Sequence, residues 1–406
     1  MGDFFQNGIV ATFHRLGQPN LSRLEDYLVR IAKVRGISLV LPSLYSELEQ
    51  PALAGIVQEL RGAAYLREIV VTLGPCSSEE FQTARRYFSI LPQKTTLLWV
   101  HGPRMEGLLD LIRSKGLDPG PDGKGKQVWL AYGYVLSEGQ SDVIALHDCD
   151  IVTYSRELLA RLIYPVASPQ LDFEFCKGYY SRVTNNMHGR VMRLLAVPLI
   201  RALITMVGPR PSLEYYDSFR YILSGEFSMM ANLARLNRVP ADWGLEIGVL
   251  AEIYRNCSVK RICQVELCEN YEHKHQALSA GDKTAGLHRM AIDIANTLFA
   301  TLAAEDVIYS SGFFNSLRAT YRRIAQDMIL RYEGDAMLNG LEYDRHEESR
   351  AVEMFTEAIQ TAGSIVDADP LGPRQIPNWN RIFSAIPDFS ERLLEAVRLD
   401  NMVADK

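Results

Sequence analysis

Short apolar, β-branched runs alternate with helical spacing through the first 150 residues. Residues 37–42 (ISLVLP), 67–74 (REIVVTLG), 95–100 (TTLLWV) and 143–148 (VIALHD) read as strands. Their near-continuous apolar character is that of strands buried on both faces. Between them, residues 53–66, 77–91 and 105–116 carry apolar positions at helical spacing. The second of these opens with Ser77 and Ser78, which suit an N-cap, and Glu79 and Glu80, which suit a first turn. The third ends on Gly116, as a helix C-cap does. This β-α-β-α order predicts an α/β fold, a mostly parallel sheet flanked by helices.

The pattern changes after about residue 170. Residues 171–183 (LDFEFCKGYYSRV) alternate like an antiparallel strand, and 261–270 (RICQVELCEN) reads as a further strand. From about residue 282 onward the spacing is almost wholly helical, broken by the proline-rich stretch 369–379. The division expected is an α/β domain over 1–305 and a helical C-terminal region over 306–406.

Composition adds limits. The 406 residues are 47% hydrophobic and 23% charged, an ordinary globular balance, with a net charge of -6. A general nucleic-acid binder would show a basic stripe instead. The six cysteines are scattered, which fits thiols in a reducing cytoplasm. The first twenty residues lack a basic segment followed by an apolar run, and the apolar stretch 194–208 is interrupted by Arg201. A cytoplasmic protein with no integral membrane segment is expected.

In parallel sheets, ligands sit beyond the carboxyl ends of the strands. Pro42-Ser43-Leu44, Leu73-Gly74 and Asp148-Cys149-Asp150 all fall there. Asp148 and Asp150 lie two apart on an extended segment, so they share a side and can reach one hard cation. Alone, the pair equally describes a solvated turn. Gly123-Lys124-Gly125-Lys126 is a flexible basic loop opening a helix, able to hold a diphosphate; it lacks the Walker A spacing. Gly189 and Arg190 begin another helix, where glycine permits close approach and arginine can grip a phosphate or carboxylate in a fork; Arg193 follows at i+3. Glu226 and Glu246 each stand among apolar neighbours and need polar partners if buried, a role sugar hydroxyls fill. His273 and His275 follow the last strand and are not distinguished by spacing.

The order of these motifs resembles that of the retaining GT-A glycosyltransferases of family 81, the glucosyl-3-phosphoglycerate synthases, with mannosyl-3-phosphoglycerate synthases as relatives. The resemblance covers roughly residues 35–305 and implies a GT-A, Rossmann-like sheet with a helical C-terminal extension. It implies transfer of glucose or mannose from UDP-glucose or a GDP-sugar to 3-phosphoglycerate, a small phosphorylated acid, with Mg²⁺ or Mn²⁺. It also implies a homodimer and a compatible-solute product.

The same resemblance distributes the residues. Pro42, Ser43, Leu44 and Glu47 would hold the uridine, and Lys124 the nucleotide or its phosphates. Asp148 would touch the ribose or sugar, and Asp150 and His273 the metal. Gly189 and Arg190 would grip the acceptor, while the run from Leu223 to Glu226 and Glu246 would line the sugar and acceptor pocket. Asp148, Glu246 and Arg190 are the candidate catalytic group. Two departures stand out. The usual A-L-N-E-E reads Ser43-Leu44-Tyr45-Ser46-Glu47, and the usual G-R-V-T reads Gly189-Arg190-Val191-Met192, without the acceptor-binding hydroxyl. The competing readings are a GT-A transferase with a lipid-phosphate or other small acceptor, a nucleotidyltransferase and a non-catalytic nucleotide-sugar binder.

Overall fold

The computed structural model describes residue 6 and residues 8–240, 244–272, 286–310, 312–369, 371 and 375–402. The chain begins β1 (Ala11–Phe13), α1 (Leu21–Ala32), β2 (Ile37–Ser43), α2 (Pro51–Leu60), β3 (Glu68–Leu73), α3 (Ser78–Phe88), β4 (Lys94–Trp99) and α4 (Pro103–Ser114). It continues α5 (Lys124–Glu138), β5 (Val143–Leu146), α6 (Arg156–Ala167), β6 (Phe175–Tyr179), α7 (Val197–Val207), α8 (Pro211–Ser218), β7 (Phe227–Met230), α9 (Ala231–Leu236), β8 (Val239–Pro240), α10 (Leu245–Asn256) and β9 (Ile262–Glu266). The C-terminal part holds α11 (Gly286–Ala303), α12 (Phe313–Asn339), α13 (Arg345–Ala368), β10 (Gln375–Ile376), α14 (Trp379–Ala385) and α15 (Phe389–Met402).

Among the described residues eight strands form one sheet in the order β1-β9-β6-β7-β5-β2-β3-β4. All neighbours pair parallel except β7, which runs against both β5 and β6. The mostly parallel sheet expected from the apolar runs is therefore what forms. One detail differs. The alternation over 171–183 predicts an antiparallel strand, and β6 does pair antiparallel on one side, but all five of its residues are buried and on its other side it pairs parallel with β9. Its antiparallel partner is β7, whose four residues Phe227–Met230 are too few to show a period.

The reversal of β7 has a geometric result. Its first residue, Phe227, pairs with Leu146 near the end of β5 and with Lys177 in β6. Its entering loop thus reaches the same rim as the carboxyl ends of the parallel strands.

Helix α3 starts as its sequence predicts: Ser77 and Glu80 form a reciprocal capping box. Helix α5 is different, because Gly125 through Leu136 are all buried. It lies between the sheet and the C-terminal helices, which explains its poor amphipathicity. Trp379 of α14 stacks on Trp129 of α5 with centroids 4.4 Å apart. Trp129 Nε1 donates to Pro377 O at 2.8 Å, and Trp379 Nε1 donates to Trp129 O at 2.9 Å. Gly133 makes room for this contact, since a Cβ there would stand 2.1 Å from the Trp379 ring. The apolar core runs without a break from Val10 through α5, α7 and α11 to Val397, crossing residue 305. Among the described residues no helix is long and apolar enough to cross a membrane.

Candidate active site

The rim is assembled from the ends of β2, β3 and β5. Gly74 N donates to Ser43 O at 2.9 Å, and a Cβ on Gly74 would meet Leu44 Cδ2 at 2.8 Å. The glycine after β3 therefore lets the Pro42-Ser43-Leu44 segment lie against it. Ser43 is buried while Leu44 is 47% exposed, so the segment turns from core to surface at that step. Glu47 follows on the short turn Tyr45–Glu49. Thr72 donates to Gln127 Oε1 at 3.3 Å, which pins the first turn of α5 to β3.

That turn places Lys124. Its ammonium lies 2.6 Å from Asp148 Oδ1 and 3.1 Å from Glu246 Oε1. A cation at a helix N-terminus is opposed by the helix dipole, so it needs such partners. Desolvation works against the charge, but Asp148 and Glu246 hold the ammonium above its ordinary pKa. Glu246 comes from the first turn of α10 and is 18% exposed. Lys126 turns the other way, buried, with its ammonium 2.8 Å from Asp122. The basic loop thus contributes one lysine to the site.

Behind Asp148 stands Gly225. A Cβ there would lie 2.6 Å from Asp148 Oδ2. The next residue, Glu226, is wholly buried. It accepts from Tyr180 Oη at 2.8 Å and from Tyr271 Oη at 2.5 Å. Burial and the nearby Asp148 push its pKa up, against the lowering effect of the two tyrosines and Lys124. Tyr180 and Tyr271 stack with centroids 3.7 Å apart, 5° from parallel. Lys177 of β6, also buried, donates to Ser224 O at 2.7 Å and lies 5.5 Å from the Phe227 ring centroid. Burial lowers its pKa to about 8, with Glu246 and Glu226 acting the other way. Lys124 and Lys177 thus face a set of three carboxylates: Asp148, Glu226 and Glu246.

Asp150 lies just past β5, half-buried. Directly after it, Val152 N donates to Glu272 O at 2.8 Å, and Glu272 N donates to Thr153 Oγ1 at 3.0 Å. The chain that leads into His273 is thereby tied beside the Asp150 segment. His273 and His275 themselves lie outside the described residues. Among the described residues no three His, Cys, Asp or Glu side chains are grouped to hold a metal. The oxygen donors of Asp148 and Asp150 suit a hard divalent cation.

Gly189 has φ +74°, a left-handed conformation that favours glycine, and a Cβ there would stand 3.2 Å from Tyr221 Oη. Arg190 follows, with Nε 2.7 Å from Glu348 Oε1 of α13. Met192 is buried in the core. Leu223 is half-buried on the loop leading to Ser224-Gly225-Glu226.

No protein-family model matches the chain. Two curated relatives do, over almost their whole lengths. A glucosyl-3-phosphoglycerate synthase from Persephonella marina is 46% identical over 401 residues, covering 99% of each chain. One from Methanococcoides burtonii is 41% identical over 406 residues, covering 98% of each. The chain belongs to the glucosyl-3-phosphoglycerate synthase family. It is thus a glycosyltransferase of the GT-A type. Among solved structures, glucosyl-3-phosphoglycerate synthase of Mycobacterium tuberculosis in complex with phosphoglyceric acid aligns with TM-score 0.53 and 21% identity, over 75% of this chain and 90% of that one. Its complex with Mn²⁺, UDP-glucose and phosphoglyceric acid aligns with TM-score 0.52 and 22% identity, over 75% and 89%.

For this glucosyl-3-phosphoglycerate synthase family member, the structure brings Lys124, Asp148, Glu226 and Glu246 into one cluster. It sets the β2 segment and Asp150 on the same rim, and attaches Arg190 to the C-terminal helices. Lys177, Tyr180 and Tyr271 are not singled out by the sequence motifs. Lys177 carries a signal of its own: a lysine in the middle of a fully buried strand needs a partner. The tyrosines carry none, because only the fold sets them on Glu226. His147, which draws the eye beside the two aspartates, is wholly buried against Tyr154, 3.1 Å from its hydroxyl. Burial lowers its pKa to about 4, so it stays neutral.

Proposed function

We propose that the chain transfers the glucosyl group of UDP-glucose to the hydroxyl of 3-phosphoglycerate, with retention at the anomeric carbon. Two relatives named for this product, matched end to end, carry the proposal. The site chemistry supports it. Pro42, Ser43, Leu44 and Glu47 form the rim that would take the uridine. Lys124 supplies positive charge toward the diphosphate, and its two carboxylate partners keep it protonated. Asp148, Leu223, Glu226 and Glu246 would line the sugar, whose hydroxyls pair with carboxylates.

Asp150 and His273 would hold Mg²⁺ or Mn²⁺, which when bound neutralises charge on the departing diphosphate. The chain's own residues do the rest. In the step itself the anomeric C–O bond to UDP breaks and a bond to the acceptor oxygen forms. The acceptor proton leaves with the UDP phosphate oxygen. A covalent glucosyl-enzyme would need an available carboxylate. Glu226 instead engages one tyrosine on each oxygen, and Glu246 is paired to Lys124. A front-face displacement fits that arrangement. Gly189 and Arg190 would grip the acid acceptor through the arginine fork.

The proposal includes a homodimer and a cytoplasmic location. Met337 and Leu338, 80% and 85% exposed at the end of α12, offer apolar surface for a second copy; a single monomer mass in light scattering would remove the dimer. All six cysteines are free thiols, in keeping with a reducing compartment. The deciding experiment incubates purified protein with UDP-glucose, 3-phosphoglycerate and Mn²⁺ or Mg²⁺ and looks for glucosyl-3-phosphoglycerate by mass. Absence of product under all these conditions would refute the proposal.

A further inference from the structure

We infer that Glu348, on helix α13, is a positioning residue for the acceptor site. The inference rests on the reading of Gly189 and Arg190 as the acceptor grip. Glu348 is 3% exposed, and its carboxylate bridges two arginines. Arg190 Nε reaches Oε1 at 2.7 Å, and Arg193 Nη1 reaches Oε2 at 2.7 Å.

The two arginines are held differently. Arg193 also donates from Nε to His188 O at 2.9 Å and from Nη2 to Met187 O at 3.3 Å. Its guanidinium carbon sits 4.9 Å from the Tyr332 ring centroid, and its side chain is 11% exposed. Its donors are used in building the wall. Arg190 is 29% exposed and spends Nε on Glu348. One terminal nitrogen lies 3.4 Å from Glu347, whose carboxylate is itself 30% exposed and also pairs with Arg350. The buried carboxylate thus takes the inner edge of the guanidinium and orients its outer edge.

Orientation matters because the acceptor carries a phosphate and a carboxylate. A guanidinium fork binds such groups well only in the right plane. An arginine fixed beforehand gives up less side-chain freedom on binding. Glu348 also offsets two like charges on neighbouring helical positions.

A second tie comes from the same region. Glu342 N donates to Asn185 O at 2.8 Å, and Asn186 bridges to Glu342. The turn leading into Gly189 is therefore strapped from the stretch before α13. The C-terminal helices, which carry no chemical motif of their own, complete the acceptor side of the site.

The test is steady-state kinetics on the full chain, with each substrate varied in turn, for Glu348→Gln and Arg190→Ala. Glu348→Gln keeps the shape and loses the charge. It should raise the KM for 3-phosphoglycerate about tenfold or more, while the KM for UDP-glucose stays within about twofold of the parent. If Arg190→Ala raises the acceptor KM and Glu348→Gln does not, the positioning role is overturned and the acceptor reading stands. If Arg190→Ala leaves the acceptor KM unchanged, the acceptor assignment fails, and this inference with it. Should Glu348→Gln not fold, Glu348→Asp keeps the charge on a shorter arm. An acceptor-selective rise there supports positioning; an equal loss toward both substrates, tracking a fall in Tm, overturns it.

Discussion

Gly225→Ala isolates the geometry of Asp148 from the stability of the fold. The Cβ it adds would stand 2.6 Å from Asp148 Oδ2, 3.1 Å from Cγ and 3.2 Å from Oδ1. Ordinary contact begins at 3.4 Å, so Oδ2 must retreat by about 0.8 Å. The obstacle is the end of a short side chain, not backbone, and a rotation can relieve it. An off-rotamer χ costs about 0.5–1.5 kcal/mol. Gly225 does not have a positive φ, so alanine also restricts the unfolded chain, a gain of about 0.4–1 kcal/mol. The two nearly cancel, and the urea midpoint should hardly move. Activity should not survive so well. As Oδ2 retreats the carboxylate turns, and Oδ1, which holds Lys124 at 2.6 Å, turns with it. Misplacing a group by about 1 Å costs on the order of 100-fold in rate. Glucosyl transfer from UDP-glucose to 3-phosphoglycerate, followed by coupled UDP release, measures it. A variant with kcat/KM within threefold of the parent, or one that fails to fold, would refute the reasoning.

Further outcomes follow from the same geometry. Lys124→Ala should lower kcat by roughly 100- to 1000-fold, since it removes the ammonium that faces Asp148 and Glu246; a tenfold loss or less would exclude it from charge stabilisation. Asp150→Ala should weaken Mn²⁺ binding, followed by the loss of the free-ion EPR signal on titration, and an unchanged affinity would take it out of the metal site. Trp379→Ala should cost about 3–5 kcal/mol in urea unfolding, because it empties the space against Trp129 and Gly133. His147 stays neutral down to about pH 4 in the folded state, whereas an unfolded imidazole takes its proton below about 6.5. Its contribution is intact above 6.5 and is lost as pH falls toward 4, by about 3 kcal/mol. His147→Gln should therefore flatten part of that decline in urea midpoints, and identical slopes would refute it.

What the sequence made legible follows physical lines. β2, β3 and β5 are buried on both faces and show it as unbroken apolar runs. β1 and β7 are three and four residues long, too short for any period to register. α5 gives a weak helical stripe because Trp379 and its neighbours bury the side a solvent-facing helix would keep polar. In the site, Lys124 is visible in a basic glycine loop, Asp148 in an acidic pair at the end of an apolar run, and Glu246 as an acid among apolar neighbours. Their meeting at 2.6 and 3.1 Å is not, since it depends on how α5 and α10 dock. Glu348 is the extreme case. It reads as one acid of a helix cap, and its arginines lie more than 150 positions earlier.

The stacked indoles of Trp129 and Trp379 give the molecule an internal optical gauge. Two such rings, 4.4 Å apart and 20° from parallel, couple their electronic transitions, and the resulting circular-dichroism couplet vanishes once they separate. One ring belongs to the helix that begins at Lys124 and the other to the C-terminal helices. The couplet therefore reports, without any label, whether the tail of the chain is seated behind the helix that brings Lys124 to Asp148 and Glu246.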